Sequence, residues 1–322
     1  MTLGWGIAAT GRIARLVGSV VVEEPGMRVA AVGSRSLARA SGLAADLGGR
    51  PHGSYAELVA DPDVDAVYVA TPHTAHAEVV ELALRAGKPV LCEKPLTADL
   101  AETERLVGLS RSTDTFLMEG MWTRFNPLVQ QLAVLVRTGA LGKVRSVSAA
   151  FGFVAEYDAS GRLWNPDLGG GALLDVGIYP VDLARLLLGD PLSISASGNL
   201  ADTGVDSDLG MLLTFTGGAR ALLEASIVHA PPAAAVITGT LGSAVLGPAF
   251  HAPTSLVVDV GDERVEHTQP DRSAGYRGEL RELALCVAQG RAESTVVPLG
   301  ETMATMRVLD DVRRQLQARG PR

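Results

Sequence analysis

The sequence predicts an α/β fold: an N-terminal doubly wound parallel sheet, followed by an α+β domain on a large, mostly antiparallel sheet. Three observations predict it. Up to about Gly120, short apolar runs alternate with segments of helical period, which is the pattern of βαβ units. One of those runs, Ala66–Ala70 (AVYVA), is apolar throughout, as a strand covered on both faces should be. After Trp122 the chain instead shows paired strand-like runs around glycine turns, the signature of hairpins. That change sets the expected domains, 1–121 and 122–322.

Taken in order, Leu3–Ala8 reads as the first strand. The segment after it carries Ile13, Leu16, Val17, Val20 and Val21 at helical spacing. Strands over 27–34, 64–70, 88–91 and 115–119 alternate with helices over 37–48, 76–87 and 100–112. In the second domain a helix over 126–139 leads into a long strand over 143–154. Hairpins follow over 208–229, 234–247 and 254–268, and two helices close the chain over 275–290 and 300–320.

Composition narrows the function. With 47% apolar and 20% charged residues the chain is globular rather than disordered. A net charge of −8 disfavours nucleic acid. The two cysteines, Cys92 and Cys286, are far apart. They suit a reducing compartment and build neither a disulfide scaffold nor a metal site. No apolar run is long enough for a membrane span, and the N-terminus has no secretory pattern. The expected setting is cytoplasmic, with no membrane and no metal.

The first strand closes on Ala9-Thr10-Gly11-Arg12-Ile13-Ala14. Against G-x-G-x-x-G/A, Gly11 and Ala14 fit and Ala9 departs, so the turn should avoid positive φ. The pattern reads as a pyrophosphate site at a helix N-terminus. A chain selecting NAD carries a carboxylate at the end of the second strand. Here stand Ser34, Arg35, Ser36 and Arg39. A hydroxyl and guanidinium groups suit a 2′-phosphate, which favours NADP over NAD. Thr71, Pro72, His73 and His76 follow another strand at the carboxyl edge, where ligands bind in such sheets. They are read as cofactor-side residues, not as a metal pair.

Glu93, Lys94 and Pro95 also end a strand. Far downstream, GRLWNPDLGGGALLDVGIYP holds a glycine run, Gly169–Gly171, and then Asp175 and Tyr179, four apart and so on one helical face. Pro180 is tolerated only near a helix start, which puts Asp175 on an irregular first turn.

GWGIAATGRIA, ATPHTAHAE, CEKPL, MEGMWTRFNP, GRLWNPDLGGGALLDVGIYP and GYRGELRE fall in this order over nearly the whole chain. Together they resemble the glucose–fructose oxidoreductase / inositol dehydrogenase (Gfo/Idh/MocA) family. The likeness is strongest to the branch of dimeric dihydrodiol dehydrogenase and NADP-dependent D-xylose dehydrogenase. Tyr179 follows that branch, whereas Gly278 stands where relatives often have histidine.

The resemblance implies a Rossmann-type first domain and an NADP-dependent hydride transfer to or from a hydroxyl or carbonyl carbon of a sugar, sugar derivative or vicinal diol. It makes Lys94 and Tyr179 a proton-transfer pair, without saying which lies nearer the substrate. Free tyrosine and lysine titrate near ~10 and ~10.4, and an ammonium beside the phenol favours tyrosinate while burial opposes it. Glu93 would orient the lysine or the ribose, and Lys94–Pro95 is expected to be cis. Arg124, Arg162, Trp164 and Asp175 are substrate-side candidates, Asp175 foremost and also a catalytic candidate. Alternatives are a ketoreductase on a nucleotide-linked deoxysugar and a non-catalytic NAD(P)-sensing regulator. A homodimer or homotetramer through the second domain's sheet is the expected assembly.

Overall fold

The computed structural model describes residues 2–318. They form two units: the chain up to Trp122 with Tyr276–Met303, and Thr123–Gly275 with the chain from Ala304 onward. Apolar pattern marks the crossing near Trp122 but not the return of Tyr276–Met303. Charge pairing does: Arg277 pairs with Glu23 and Glu24, and Arg281 with Glu24, within the first unit.

The first unit holds six parallel strands, β1 (Leu3–Ala8), β2 (Met27–Gly33), β3 (Arg50–His52), β4 (Ala66–Val69), β5 (Val90–Glu93) and β6 (Leu117–Gly120), in the order β3-β2-β1-β4-β5-β6. Helices α1 (Arg12–Glu23), α2 (Leu37–Leu47), α3 (Tyr55–Ala60), α4 (His76–Arg85) and α5 (Leu100–Thr113) connect them. Strands β4, β5 and β6 are buried at every residue, as parallel strands covered on both faces are. The strand order reverses direction between β1 and β4, so ligand crevices lie off the carboxyl ends. Sequence periodicity misses β3 and α3. They span three and six residues, too few to show a period, and α3 is fixed instead by Ser54 accepting the Glu57 N–H.

The turn after β1 corrects an expectation. Alanine at position 9 implies a backbone that avoids positive φ, yet Ala9 has φ 131°. Its N–H donates to the Gly33 carbonyl (3.1 Å), so pairing with the end of β2 overrides the local preference. Such a conformation costs about 1–3 kcal/mol in a residue with a β-carbon.

The second unit contains α6 (Pro127–Arg137), β7 (Val144–Gly152), α7 (Ile178–Leu188), β8 (Ser193–Leu200), β9 (Asp206–Thr214), β10 (Arg220–Ser226), β11 (Ala235–Gly239), β12 (Gly242–Gly247), β13 (Ser255–Val260) and β14 (Glu263–Thr268). The chain then runs into α8 (Ala274–Ala288) and α9 (Leu299–Ala318). The eight strands are ordered β14-β13-β12-β11-β7-β10-β9-β8. Every neighbouring pair is antiparallel except β7 and β10. A parallel pair needs a long crossover, and that crossover contains α7, which packs on both strands. The three predicted hairpins are present. β8 is a polar edge strand without the apolar alternation that would betray it.

Before α7 the chain makes a π-helical turn, Leu173–Gly177, which carries Asp175. The glycine run explains how it is held. Gly171 has φ 113°, and a β-carbon there would run into the Asp206 carboxylate. A β-carbon on Gly170 would lie 2.7 Å from the Leu163 carbonyl oxygen. The Asp206 carboxylate accepts the Leu173 N–H (2.5 Å) at the start of the π turn. Burial raises that carboxyl to about 7, against the pull of its backbone hydrogen bonds.

Two stability predictions follow from these backbones. Ala9→Gly should stabilise the chain by about 1 kcal/mol, because relief of the strained φ exceeds glycine's extra unfolded-state entropy. An unchanged or lower denaturation midpoint would show that the turn is unstrained. Gly171→Ala should destabilise by about 2 kcal/mol or more through positive φ and the clash with Asp206. A wild-type midpoint would show that the close approach is not required.

Candidate functional site

The cofactor-side candidates all lie at carboxyl ends of the first unit's strands. Gly11 is the N-cap of α1, with φ −73° and no side-chain cap on the helix. A β-carbon on Gly11 would meet nothing within 4 Å. Its missing side chain is therefore required neither by its backbone nor by protein neighbours, and the space over the α1 N-terminus suits an anion. Thr10 and Ile13 are half-buried beside it and Arg12 is exposed.

At the end of β2, the Ser34 hydroxyl accepts the Ser36 N–H, and Ser36 caps α2 through the Arg39 N–H. Arg35 and Arg39 are exposed and neither makes an ion pair among the described residues. Tyr55 of α3, missed from sequence, lies within electrostatic reach of both. Burial raises its pKa, and the two guanidinium groups pull it back. Its only signal was the capped turn Gly53-Ser54-Tyr55.

Thr71 and Pro72 follow β4, and Thr71 Oγ1 is a buried polar atom without a hydrogen-bond partner. Gly11's open cradle, the basic cluster after β2 and this orphaned hydroxyl together fit a dinucleotide.

His73 and His76 divide in role. His73 is buried with its ring 5.7 Å from that of His76. His76 is fully buried, Nδ1 facing the Pro95 carbonyl and Nε2 the Thr71 carbonyl, each at 2.9 Å. Two acceptors favour imidazolium, yet burial, with Lys94 repulsion added, lowers its pKa to about 4. His76 is thus a neutral brace between the β4 end and the loop after Lys94, and no metal cluster exists among the described residues.

That loop starts with Glu93 and Lys94, 6% and 9% exposed, and the Lys94–Pro95 bond is cis. Tyr68 of β4 donates its hydroxyl to Glu93 Oε1 (2.5 Å). Glu119 of β6 accepts the Leu96 N–H (2.9 Å) and the Thr302 hydroxyl (3.0 Å). Cys92, just before, is buried, and burial pushes its thiol well up, which leaves it inert as a nucleophile.

In the second unit, Tyr179 opens α7 and is 6% exposed. Its ring lies 5.6 Å from Phe151 and 5.5 Å from His251, which stack on each other at 3.9 Å. Phe151 and His251 were not singled out from sequence; Phe151 ends a strand whose alternation reads as ordinary packing. Asp175 accepts from Arg162 Nη1 (2.7 Å). Trp164 donates its indole N–H to the Glu156 carbonyl (2.8 Å) and meets Tyr157 edge-on. Arg124 is different: it is buried and bonded to both oxygens of Asp182 on α7, at 3.0 and 2.9 Å. That pairing gives Arg124 a structural task, while Asp175, Arg162 and Tyr179 cluster on and around the π turn.

Residues 3–121 match the model of the oxidoreductase family, NAD-binding Rossmann fold, and residues 129–245 match the GFO/IDH/MocA C-terminal domain. The chain is 36% identical to trans-1,2-dihydrobenzene-1,2-diol dehydrogenase of Mus musculus, over 98% of this chain and 97% of that one. Among solved structures, KijD10, a 3-ketoreductase from Actinomadura kijaniata in complex with NADP and TDP-benzene, matches with a TM-score of 0.89 and 30% identity, over 98% of each chain. An aldose–aldose oxidoreductase from Caulobacter crescentus complexed with glycerol matches with a TM-score of 0.90 and 28% identity, over 99% of this chain and 98% of that one. A parallel sheet with the dinucleotide strand order and full-length likeness to dehydrogenases and reductases lead to one conclusion: the chain belongs to the Gfo/Idh/MocA family of oxidoreductases.

Proposed function

We propose that the protein is an NADP-dependent dehydrogenase/reductase acting on a secondary hydroxyl or carbonyl of a vicinal diol, sugar or sugar derivative, with Lys94 and Tyr179 as its proton-transfer pair. The observation that carries this reading is Lys94 at the carboxyl end of a fully buried strand, within a chain whose full-length relatives oxidise a diol. Gly11 with the N-terminus of α1 would hold the pyrophosphate, Ser34, Arg35 and Arg39 the 2′-phosphate, and Thr71, His73 and Glu93 the nicotinamide side.

The bound cofactor supplies the hydride acceptor or donor. The chain's own residues handle the proton. In the oxidising direction Tyr179, held as tyrosinate by the Lys94 ammonium, takes the substrate hydroxyl proton and becomes the neutral phenol; in the reducing direction it returns that proton. Asp175, fixed by Arg162, accepts a substrate hydroxyl. Phe151 meets the Tyr179 ring edge-on and His251 lies tilted against it, an aromatic surround that suits the apolar face of a ring or carbon chain. The diol reading is preferred to a nucleotide-linked deoxysugar because Arg124, the buried basic residue at the start of the second unit, is committed to Asp182.

Assembly through the second unit's sheet is part of the same reading. Leu212, Leu222, Ser148, Val236, Val245 and Val257 are successive register partners across β9, β10, β7, β11, β12 and β13. They share one face, and Leu212, Leu222 and Val236 are exposed on it. An apolar row of that length suits burial against a second copy.

Initial rates with NADP and NAD over trans-diols and aldoses test the proposal. Tight NADPH binding without turnover of any member would favour a cofactor-sensing protein. Lys94→Ala should lower kcat by about 100-fold or more while NADPH affinity changes only a few-fold; wild-type turnover would remove Lys94 from the mechanism. Arg35→Ala should raise KM for NADP by roughly 10- to 100-fold and leave KM for NAD nearly unchanged, as loss of a charge-assisted phosphate contact requires. Equal effects on both cofactors would show that Arg35 does not read the 2′-phosphate.

A further inference from the structure

A second carboxyl lies buried near Glu93, and the proposed mechanism makes no use of it. Glu279 of α8 is 0% exposed, and neither of its carboxyl oxygens has a hydrogen-bond partner. The basic residues on either side of it in α8, Arg277 and Arg281, point to Glu23 and Glu24 instead. Three titratable groups lie within electrostatic reach of Glu279: Glu93 at the end of β5, Tyr68 of β4 and Tyr276 on α8 itself. Tyr276 stacks on Trp122 at 4.4 Å, and the Tyr68 hydroxyl is already given to Glu93. The charged group facing Glu279 is therefore another acid. Two carboxylates cannot both ionise in such a place without a cation between them.

We propose that Glu93 and Glu279 form one buried acid pair holding a single proton, and that Glu279 is a positioning residue that fixes the charge of Glu93 beside Lys94. With the proton on Glu279, Glu93 stays ionised and accepts the Tyr68 hydroxyl. Loss of that proton would put a second negative charge within reach of Glu93, the neighbour of Lys94 in the chain. The pair titrates as a unit, and burial followed by repulsion from Glu93 raises the Glu279 pKa well above the carboxylate range. The effect on turnover rests on the proposed function; the proton retained on Glu279 does not.

The sign of the linkage is definite. Above the ordinary carboxylate range the unfolded chain releases a proton that the native pair retains, so wild-type stability falls as pH rises. A glutamine at 279 has no proton to lose. The melting temperature of Glu279→Gln relative to wild type should therefore move in the variant's favour by about a few degrees per pH unit between pH 5 and pH 8. The wild-type-minus-variant infrared difference at pH 7 should carry the carbonyl band of one protonated carboxyl, beyond that of Asp206, which is common to both proteins. In a Glu93→Gln background the pH dependence should end at a lower pH, because the repelling charge is gone while burial remains. A melting difference that is flat with pH, or an infrared difference spectrum without that band, overturns the acid pair. If Glu279→Gln does not fold, Glu93→Gln alone decides: its infrared band should shift on loss of the pair, and an unmoved band overturns the proposal.

Function is read separately. Glu279→Gln should keep the KM for substrate and change kcat only at the alkaline end of the pH profile, where the wild-type pair loses its proton, whereas a merely structural role would lower kcat evenly at all pH values. Were Lys94→Ala active while the melting slope persisted, the function would fall and the acid pair would stand.

Discussion

A charged dipeptide at the end of a strand buried on both faces is the constraint around which the first unit is organised. β5 is inaccessible along its length, and it delivers Glu93 and Lys94 into surroundings where a bare charge is costly. Neighbouring elements surround it with polar groups. Tyr68 on β4 donates to Glu93, and Glu119 on β6 accepts the Leu96 N–H and the Thr302 hydroxyl. His76 spans from the Thr71 carbonyl to the Pro95 carbonyl. Tyr68 and Glu119 lie near carboxyl strand ends and His76 opens the helix that follows β4, so the sheet order that creates the crevice also supplies the braces.

The second unit solves a related problem by different means. Tyr179 must be held at a helix start that Pro180 makes possible but does not fix. The π turn before it lacks a side-chain cap of its own and takes one from β9, through Asp206. For the carboxylate to come that close, Gly171 must have no side chain. Packing on β7 and β10 then anchors α7, and the Arg124–Asp182 pair locks its first turns to the start of the unit. Rigidity at Tyr179 thus comes from residues that would never touch a substrate.

Much of this was legible in the sequence, for reasons that differ by element. Buried parallel strands declare themselves as unbroken apolar runs and amphipathic helices of ten residues or more by their period, so β1, β2, β4, α1, α2, α4 and α5 were readable. β3 and α3 are too short to have one, and the polar edge strand β8 has no buried face to mark it. The reacting candidates stood out because Glu93, Lys94, Asp175 and Tyr179 interrupt otherwise regular patterns. Glu279, Phe151 and His251 do not interrupt anything. A glutamate on a helix with arginines on either side reads as solvated surface, and only the return of that helix to the first unit buries it. Arg124 failed in the opposite direction: its partner lies 58 positions away, a pairing that no local pattern carries.

The dinucleotide turn shows how residue identity separates what the fold needs from what a ligand needs. Position 9 requires the freedom of glycine, having φ 131°, yet carries alanine. The strain is tolerable because the β1–β2 ladder and the Gly33 carbonyl over-determine the turn. Position 11 requires nothing of the kind. Its φ of −73° suits any residue, and the space beside it would accept a β-carbon. Within the protein alone, glycine would be expected at position 9 and dispensable at position 11. The chain has the reverse. The fold can absorb a kcal-scale backbone strain within a sheet worth many times that, whereas a side chain at position 11 would stand in the space over the α1 N-terminus, where an anion's charge and the helix N–H groups have to meet. Open space alone does not single out Gly11, since Gly42, Gly108, Gly210, Gly247 and Gly300 share it; what distinguishes Gly11 is its place as the N-cap of α1, where the helix N–H groups favour an anion.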